Sequence, residues 1–197
     1  MKKTGLIIIG SIVLVFVILS TILISGYNRL IEADENINLE YARIDYSLQR
    51  RYDTLTQLAN SINGFQAHEQ AYFDAITQAR EAYASAFANN DIAAMAEADN
   101  LQSIALSNLI AAFEQNPELK ATEAYGDYND AVWGIETALS DARRKYNEAI
   151  NEYNLLIRKF PGLIYADMFD FEQEDDYWKV GENATDVPDI VFGNTGN

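Results

Sequence analysis

The nineteen residues from Leu6 to Ile24 carry no charge, and no other feature constrains the chain as strongly. As a helix they would reach about 28 Å at 1.5 Å per residue, close to the thickness of a bilayer core. Met1-Lys2-Lys3 precedes the run and Ser25-Gly26 follows it. A cleaved signal peptide has an apolar stretch of about 7–15 residues and a small-residue cleavage site. This run is longer and has no Ala-x-Ala-like site behind it. It is apolar on every face, whereas a helix packed on a core is apolar along one stripe. The reading is an uncleaved, single-pass anchor over residues 1–26. Lys2 and Lys3 place the N-terminus in the cytoplasm and the rest outside, with Arg29 reducing that asymmetry.

Composition narrows what stands on the anchor. Three prolines and ten glycines favour long helices, and the lack of cysteine removes disulfides, thiolate chemistry and Cys-based zinc sites. The net charge is −16. Residues 161–197 hold nine acids and one base (Lys179), a contribution of −8, and residues 91–116 hold four acids and no base. Nucleic acid is excluded as a partner, because binding it requires a basic surface that releases counterions. Residues 172–197 are expected to form an acidic, mobile tail. Glu172 to Asp176 offers at most a loose calcium site.

Residues 27–171 carry helical periodicity. From about Tyr27 to Ile62, the seam Leu30, Asp34, Ile37, Tyr41, Ile44, Leu48, Arg51, Leu55, Leu58, Ile62 steps by four and three, a heptad pattern. Asn63-Gly64 marks a turn. A second helix is expected over about Phe65–Ala88, with Phe65, Tyr72, Phe73, Ile76, Ala79, Tyr83 and Phe87 inward. Asn89-Asn90-Asp91 breaks it, and Asp91 can cap a third over about Ile92–Glu114. That helix offers Met95, Leu101, Ile104, Leu109, Ile110 and Phe113 to the core, and Asn116-Pro117 stops it. A fourth steps through Ala121, Tyr125, Tyr128, Val132, Ile135, Leu139, Ala142, Tyr146, Ala149, Tyr153, Leu156 and Phe160, ending at Pro161-Gly162. Short connections predict an all-α, antiparallel up-down four-helix bundle. The longer first and fourth helices would extend past the other two as a stalk. Arg29, Arg158, Lys159, Phe160 and the amphipathic stretch Leu163–Phe171, including Leu163 and Phe169, would then reach the membrane interface. That stretch could equally pack on the stalk.

Two charged residues interrupt the first seam. A charge there is costly unless paired, so Arg51 needs a carboxylate. Glu136 and Arg143 lie two turns apart on the fourth helix, and Asn147 and Asn154 follow seven apart. The expectation is a structural polar ladder of Arg51, Glu136, Arg143, Asn147 and Asn154, fixing helix register. His68 is the single histidine, and no Glu-x-x-His, His-Glu-x-x-His, Gly-rich phosphate loop or Gly-x-Ser-x-Gly accompanies it. Adjacent acids such as Asp34-Glu35 diverge by about 100° on a helix and make no catalytic pair. No catalytic, cofactor or metal site is expected. The twelve tyrosines read as core residues whose hydroxyls find polar partners.

Together these motifs resemble the LemA family of bacterial membrane-anchored helical proteins. The likeness runs through Tyr27-Asn28-x-Leu30, Gln49-Arg50-Arg51-x-Asp53, His68-Glu69 and Ala79-Arg80. It continues in Pro117-x-Leu119-Lys120-Ala121, Glu136, Arg143-Arg144-x-Tyr146-Asn147, Tyr153-Asn154, Phe160-Pro161 and Ala166, covering residues 6–171. The chain departs from the family at Thr54-Leu55-Thr56-Gln57-Leu58, where a Leu-Ile-Pro-Asn-Leu is usual, and at Asn116, where a tyrosine is usual. The resemblance implies a four-helix bundle on an N-terminal anchor in the bacterial cytoplasmic membrane. It implies no enzymatic activity, and some relatives act in magnetosome membrane formation.

The function expected is therefore a scaffold or adaptor that is not an enzyme. It would associate with the lipid bilayer, with copies of itself and with other membrane proteins. Small residues in the anchor (Gly10-Ser11 and the Ser20, Thr21, Ser25, Gly26 group) permit close helix approach. The alternative is a membrane-tethered ligand- or peptide-binding sensor with a polar site between the first and fourth helices, near Arg51, Glu136 and Arg143.

Overall fold

A computed structural model describes residues 2–61, 69–115 and 123–179, and all its regular structure is helical. Ile62, Asn63-Gly64, Phe65, His68, Asn116-Pro117, Ala121 and the tail beyond Lys179 lie outside the described residues. Helix α1 spans Lys2–Ser61, α2 Glu69–Ala88, α3 Ile92–Gln115, α4 Glu123–Arg158 and α5 Gly162–Met168. The uncharged run and the first heptad seam thus share one helix, uninterrupted at Ser25-Gly26.

The chain divides into two compact units. One holds Met1–Tyr41 and Lys145–Asp175, so it contains no part of α2 or α3. The other holds Ala42–Arg144 and Asp176–Asn197.

In the second unit four helical segments feed one core. Leu55, Leu58 and Ala59 of α1 meet Ile76 of α2 and Ala105, Leu106, Leu109 and Phe113 of α3, with Tyr128 and Val132 of α4 packed against them. Helices α2 and α3 form a hairpin. Its turn follows from the polar residues at 89–91. Asn90 takes a left-handed φ of 51°, which asparagine tolerates. The backbone N–H of Asp91 donates to Ala86 at 3.0 Å, closing the end of α2. The Asp91 carboxylate accepts from Ala94 N–H at 2.9 Å and caps α3. Phe87 and Ile104 were expected in the core but are exposed. The buried line of α3 runs Met95, Asp99, Gln102, Leu106, Leu109, Phe113, and Ile104 lies two residues from both Gln102 and Leu106, about 200° around the helix. Phe87 follows the buried Ala86 in the last turn of α2, its ring tilted 35° to that of Tyr83 with 6.1 Å between centroids.

In the first unit the seam residues Leu30 and Ile37 of α1 are buried, as are Tyr146, Ala149, Ile150, Tyr153 and Ile157 of α4. The two segments run antiparallel: Tyr41 meets Tyr146 with ring centroids 6.2 Å apart, and the earlier Asp34 of α1 lies near the later Tyr153 of α4. The fourth-helix seam ends at Leu156. Phe160, expected to continue it, is 83% exposed because the chain turns at Pro161-Gly162. Gly162 sits so close to the backbone carbonyl of Leu156 that a Cβ there would collide with it.

Helix α5 docks back on α1. Tyr165 and Ala166 are buried, and the Tyr165 hydroxyl donates to the carbonyl of Ile22 at 3.4 Å. Tyr27 stacks on Phe169 and Phe171, with centroids 4.8 and 5.9 Å away. This docking needs a glycine: a Cβ on Gly26 would fall within the Tyr165 ring. Gly26→Val is therefore expected to force α5 off α1 at an overpacking cost of about 1–3 kcal/mol. Amide exchange at Tyr165 to Phe169 should accelerate by roughly tenfold or more, while that of α3 stays unchanged; unaltered exchange at α5 would refute the close approach.

The stretch after Phe171 is also tied down. Tyr153 donates its hydroxyl to the Glu172 carbonyl at 2.9 Å, and Asn154 exchanges two hydrogen bonds with the backbone of Glu174, at 2.7 and 3.0 Å. Burial, then the charges of Asp34, Glu174 and Glu172, hold the Tyr153 phenol above its ordinary range. Residues 172–174 thus follow a defined path along α4.

Candidate functional site: a buried charge cluster and an open cleft

The charge cluster forms where α1, α3 and α4 face one another in the second unit. Arg51 extends from the apolar seam of α1, where Leu48 and Leu55 lie one turn to either side and exclude water. Its guanidinium meets the Glu136 carboxylate as a fork: Nε donates to Oε1 at 2.7 Å and Nη2 to Oε2 at 2.5 Å. The remaining nitrogen, Nη1, donates to Asp99 Oδ1 at 2.7 Å and to the Asp99 carbonyl and Ser103 Oγ, both at 3.2 Å. Arg143 closes the cluster from α4, its Nη2 reaching the Asp99 carboxylate at 2.5 Å. Arg51, Asp99 and Glu136 side chains are 2%, 8% and 36% exposed, so one edge touches water. Burial lowers the Arg143 pKa from its ordinary value, the nearby Arg51 charge adds to this, and Asp99 opposes it.

The sequence pointed to three of these four residues. Arg51 and Glu136 pair directly, but Arg143 joins them through Asp99. In sequence Asp99 is only one of the four acids between residues 91 and 116. A signal was present: Met95, Asp99, Gln102, Leu106 step by four and three, as on the other seams. Asn154 stands apart from the cluster, bonded to Glu174 in the first unit. Asn147 is half-buried on α4 in that same unit.

A chain holding Arg51 for packing and pairing tolerates its loss in a particular order. Arg51→Met fills the apolar seam, leaves Asp99 with Arg143, and lets Glu136 hydrate. The expected loss is about 1–3 kcal/mol in guanidinium unfolding of the detergent-solubilised chain. A variant as stable as the parent would show that the pairing contributes nothing.

The expected interface residues gather in the first unit. Arg29, Arg158, Lys159, Phe160, Leu163 and Phe169 are all exposed. Arg29, Lys159 and Phe160 line an open cleft of about 690 Å³, with Leu30, Leu156 and Tyr165 among its walls.

A family model described as the LemA family matches residues 40–192, more than three quarters of the chain. This chain belongs to the LemA family. The match includes every member of the charge cluster and begins beyond the apolar run. It also passes Phe171 and takes in the acidic stretch, which the resemblance in sequence had left outside the shared region. No curated protein matches the chain. Within this LemA-family chain, α1 is the one described helix long and apolar enough to cross a membrane.

Proposed function

We propose that this LemA-family protein is a membrane-anchored helical scaffold or adaptor that associates with itself and organises membrane and partner proteins, without catalysis. In this reading Leu6–Ile24 is its one transmembrane span, in a bacterial cytoplasmic membrane. The helices beyond it form an antiparallel up-down bundle, held outside the cytoplasm by the lysines at its N-terminus. Support for the bundle comes from the hairpin of α2 and α3 and from the core that four helical segments share.

The observation that carries the reading is the closure of the charge cluster. Arg51, Asp99 and Glu136 are spent on one another and on Arg143 Nη2, Arg143 Nε is the one guanidinium nitrogen buried without a hydrogen-bond partner among the described residues, and the gap beside Arg51 and Glu136 is too small to admit a water. A ligand site needs polar groups with capacity left over and room to receive a molecule. The arrangement fits a register-fixing device better than the recognition site of a sensor.

Self-association gives the exposed aromatic residues a use. Trp133, 57% exposed on α4, is the side-chain type most enriched among residues that dominate protein interfaces. Confinement to a bilayer raises effective concentration, so modest contacts suffice. Counting photobleaching steps of the labelled full chain in lipid bilayers tests this. Oligomers are expected, and Trp133→Ala should weaken them by about 2 kcal/mol or more, the scale of an interface hot spot. A strictly monomeric chain at all surface densities would overturn self-association.

A further inference from the structure

We propose that the open cleft in the first unit binds one phospholipid bearing a primary ammonium, of the phosphatidylethanolamine class. This rests on the reading of Leu6–Ile24 as a membrane span. The cleft of about 690 Å³ lies in the size range of small-molecule sites and is lined on both α1 and α4. It begins at Gly26, two residues beyond the end of the apolar run, so it opens where headgroups would lie. The neighbouring α5 exposes Leu163, Ile164, Met168 and Phe169 at the same level, fixed there by the Tyr165 bond to Ile22. An apolar face held beside the end of a spanning helix matches an interfacial segment.

The charges in the cleft are layered. Arg29 and Lys159 line the end nearest the apolar run, and Glu32 and Glu152 line it farther out. Glu32 lies three residues beyond Arg29 on α1, about 4.5 Å along the axis. Because α4 runs antiparallel, Glu152 lies two turns beyond Lys159, about 10 Å along its axis. These four side chains are exposed and make no ion pair or hydrogen bond among the described residues. A phospholipid headgroup presents the same order: the phosphate sits nearer the hydrocarbon and the ammonium farther out. Arg29 can fork onto phosphate oxygens, and Lys159 can lay its methylenes along the apolar wall with its ammonium at the phosphate. Glu32 and Glu152 then receive the lipid ammonium. An anionic headgroup would satisfy the cations and leave the two carboxylates opposed to it.

The test uses the full chain in nanodiscs containing equal phosphatidylethanolamine, phosphatidylcholine and phosphatidylglycerol. Bound lipid is counted by native mass spectrometry after detergent exchange. One retained phosphatidylethanolamine is expected, preferred over phosphatidylglycerol by roughly fivefold, the factor a single charge contributes at a bilayer surface, and preferred over phosphatidylcholine because a trimethylammonium has no N–H to donate to Glu32 and Glu152. Arg29→Gln with Lys159→Gln should reduce retention of every headgroup by roughly 30-fold, two such factors combined. Glu32→Gln with Glu152→Gln should move the preference to phosphatidylglycerol. Equal retention of the three lipids, undiminished retention in the Arg29 and Lys159 variant, or an unchanged preference in the Glu32 and Glu152 variant overturns the proposal alone. A chain that fails to enter nanodiscs at all overturns the span and the proposal with it.

Discussion

Replacing Asp99 with alanine is expected to destabilise the protein by about 3–5 kcal/mol, the scale of breaking a buried ion pair from one side. The size follows from the geometry, since Asp99 is the carboxylate that Arg51 and Arg143 share. Without it Arg51 keeps the Glu136 fork, the main-chain carbonyl at position 99 and Ser103 Oγ, but Nη1 loses its anion. Arg143 loses its anion where burial already works against its charge. Glu136→Ala should cost less, about 1–3 kcal/mol, because that carboxylate reaches water and Asp99 still holds Arg51. Folded domains have only about 5–15 kcal/mol in reserve, so the Asp99 variant should unfold at markedly lower guanidinium concentration. A Glu136 variant less stable than the Asp99 variant would contradict the assignment of Asp99 as the centre of the cluster.

Phe113→Ala is expected to have a comparable effect for an unrelated reason. The ring lies fully inside the core formed by Leu55, Leu58, Ile76, Leu109 and their neighbours. These residues come from α1, α2 and α3, which cannot all move inward to fill the space. Large-to-small aromatic substitutions in such cores cost about 3–5 kcal/mol, part lost transfer energy and part cavity. Phe113→Leu removes less volume and should lose about half as much or less. Thermal unfolding of both variants checks the order. Equal stability of Phe113→Ala and the parent would mean that the ring is not enclosed.

The two predictions rest on features of unequal legibility in sequence. The seams of α1 and α4 could be read because apolar residues recur every three or four positions against a strongly polar background. Leu30, Ile37, Ile44, Leu48, Leu55 and Leu58 all proved buried. Arg51 stood out as a charge within such a seam. Asp99 did not, because α3 is rich in alanine and carries little contrast between its faces. An acid in that setting resembles one more solvated charge. The Gly26–Tyr165 approach was invisible for another reason: it joins positions 139 residues apart, and no local pattern encodes that distance. In sequence Gly26 reads only as a small residue suited to close helix approach. Asn154 illustrates a third limit. Its spacing with Asn147 suggested a ladder, yet its partner is main chain, which has no signature in sequence.

That last contact bears on how the protein would age. Asn154 offers one donor and one acceptor, and the peptide of Glu174 receives and returns them. The path of the acidic stretch is therefore held through its backbone at that point, by two bonds that any residue at 174 other than proline could make. The anchoring amide has no such latitude. Slow deamidation of Asn154 would exchange its donating Nδ2 for a second carboxylate oxygen and set it against the Glu174 carbonyl. One lost ammonia, with no change in chain length and one added negative charge, would loosen the segment from α4.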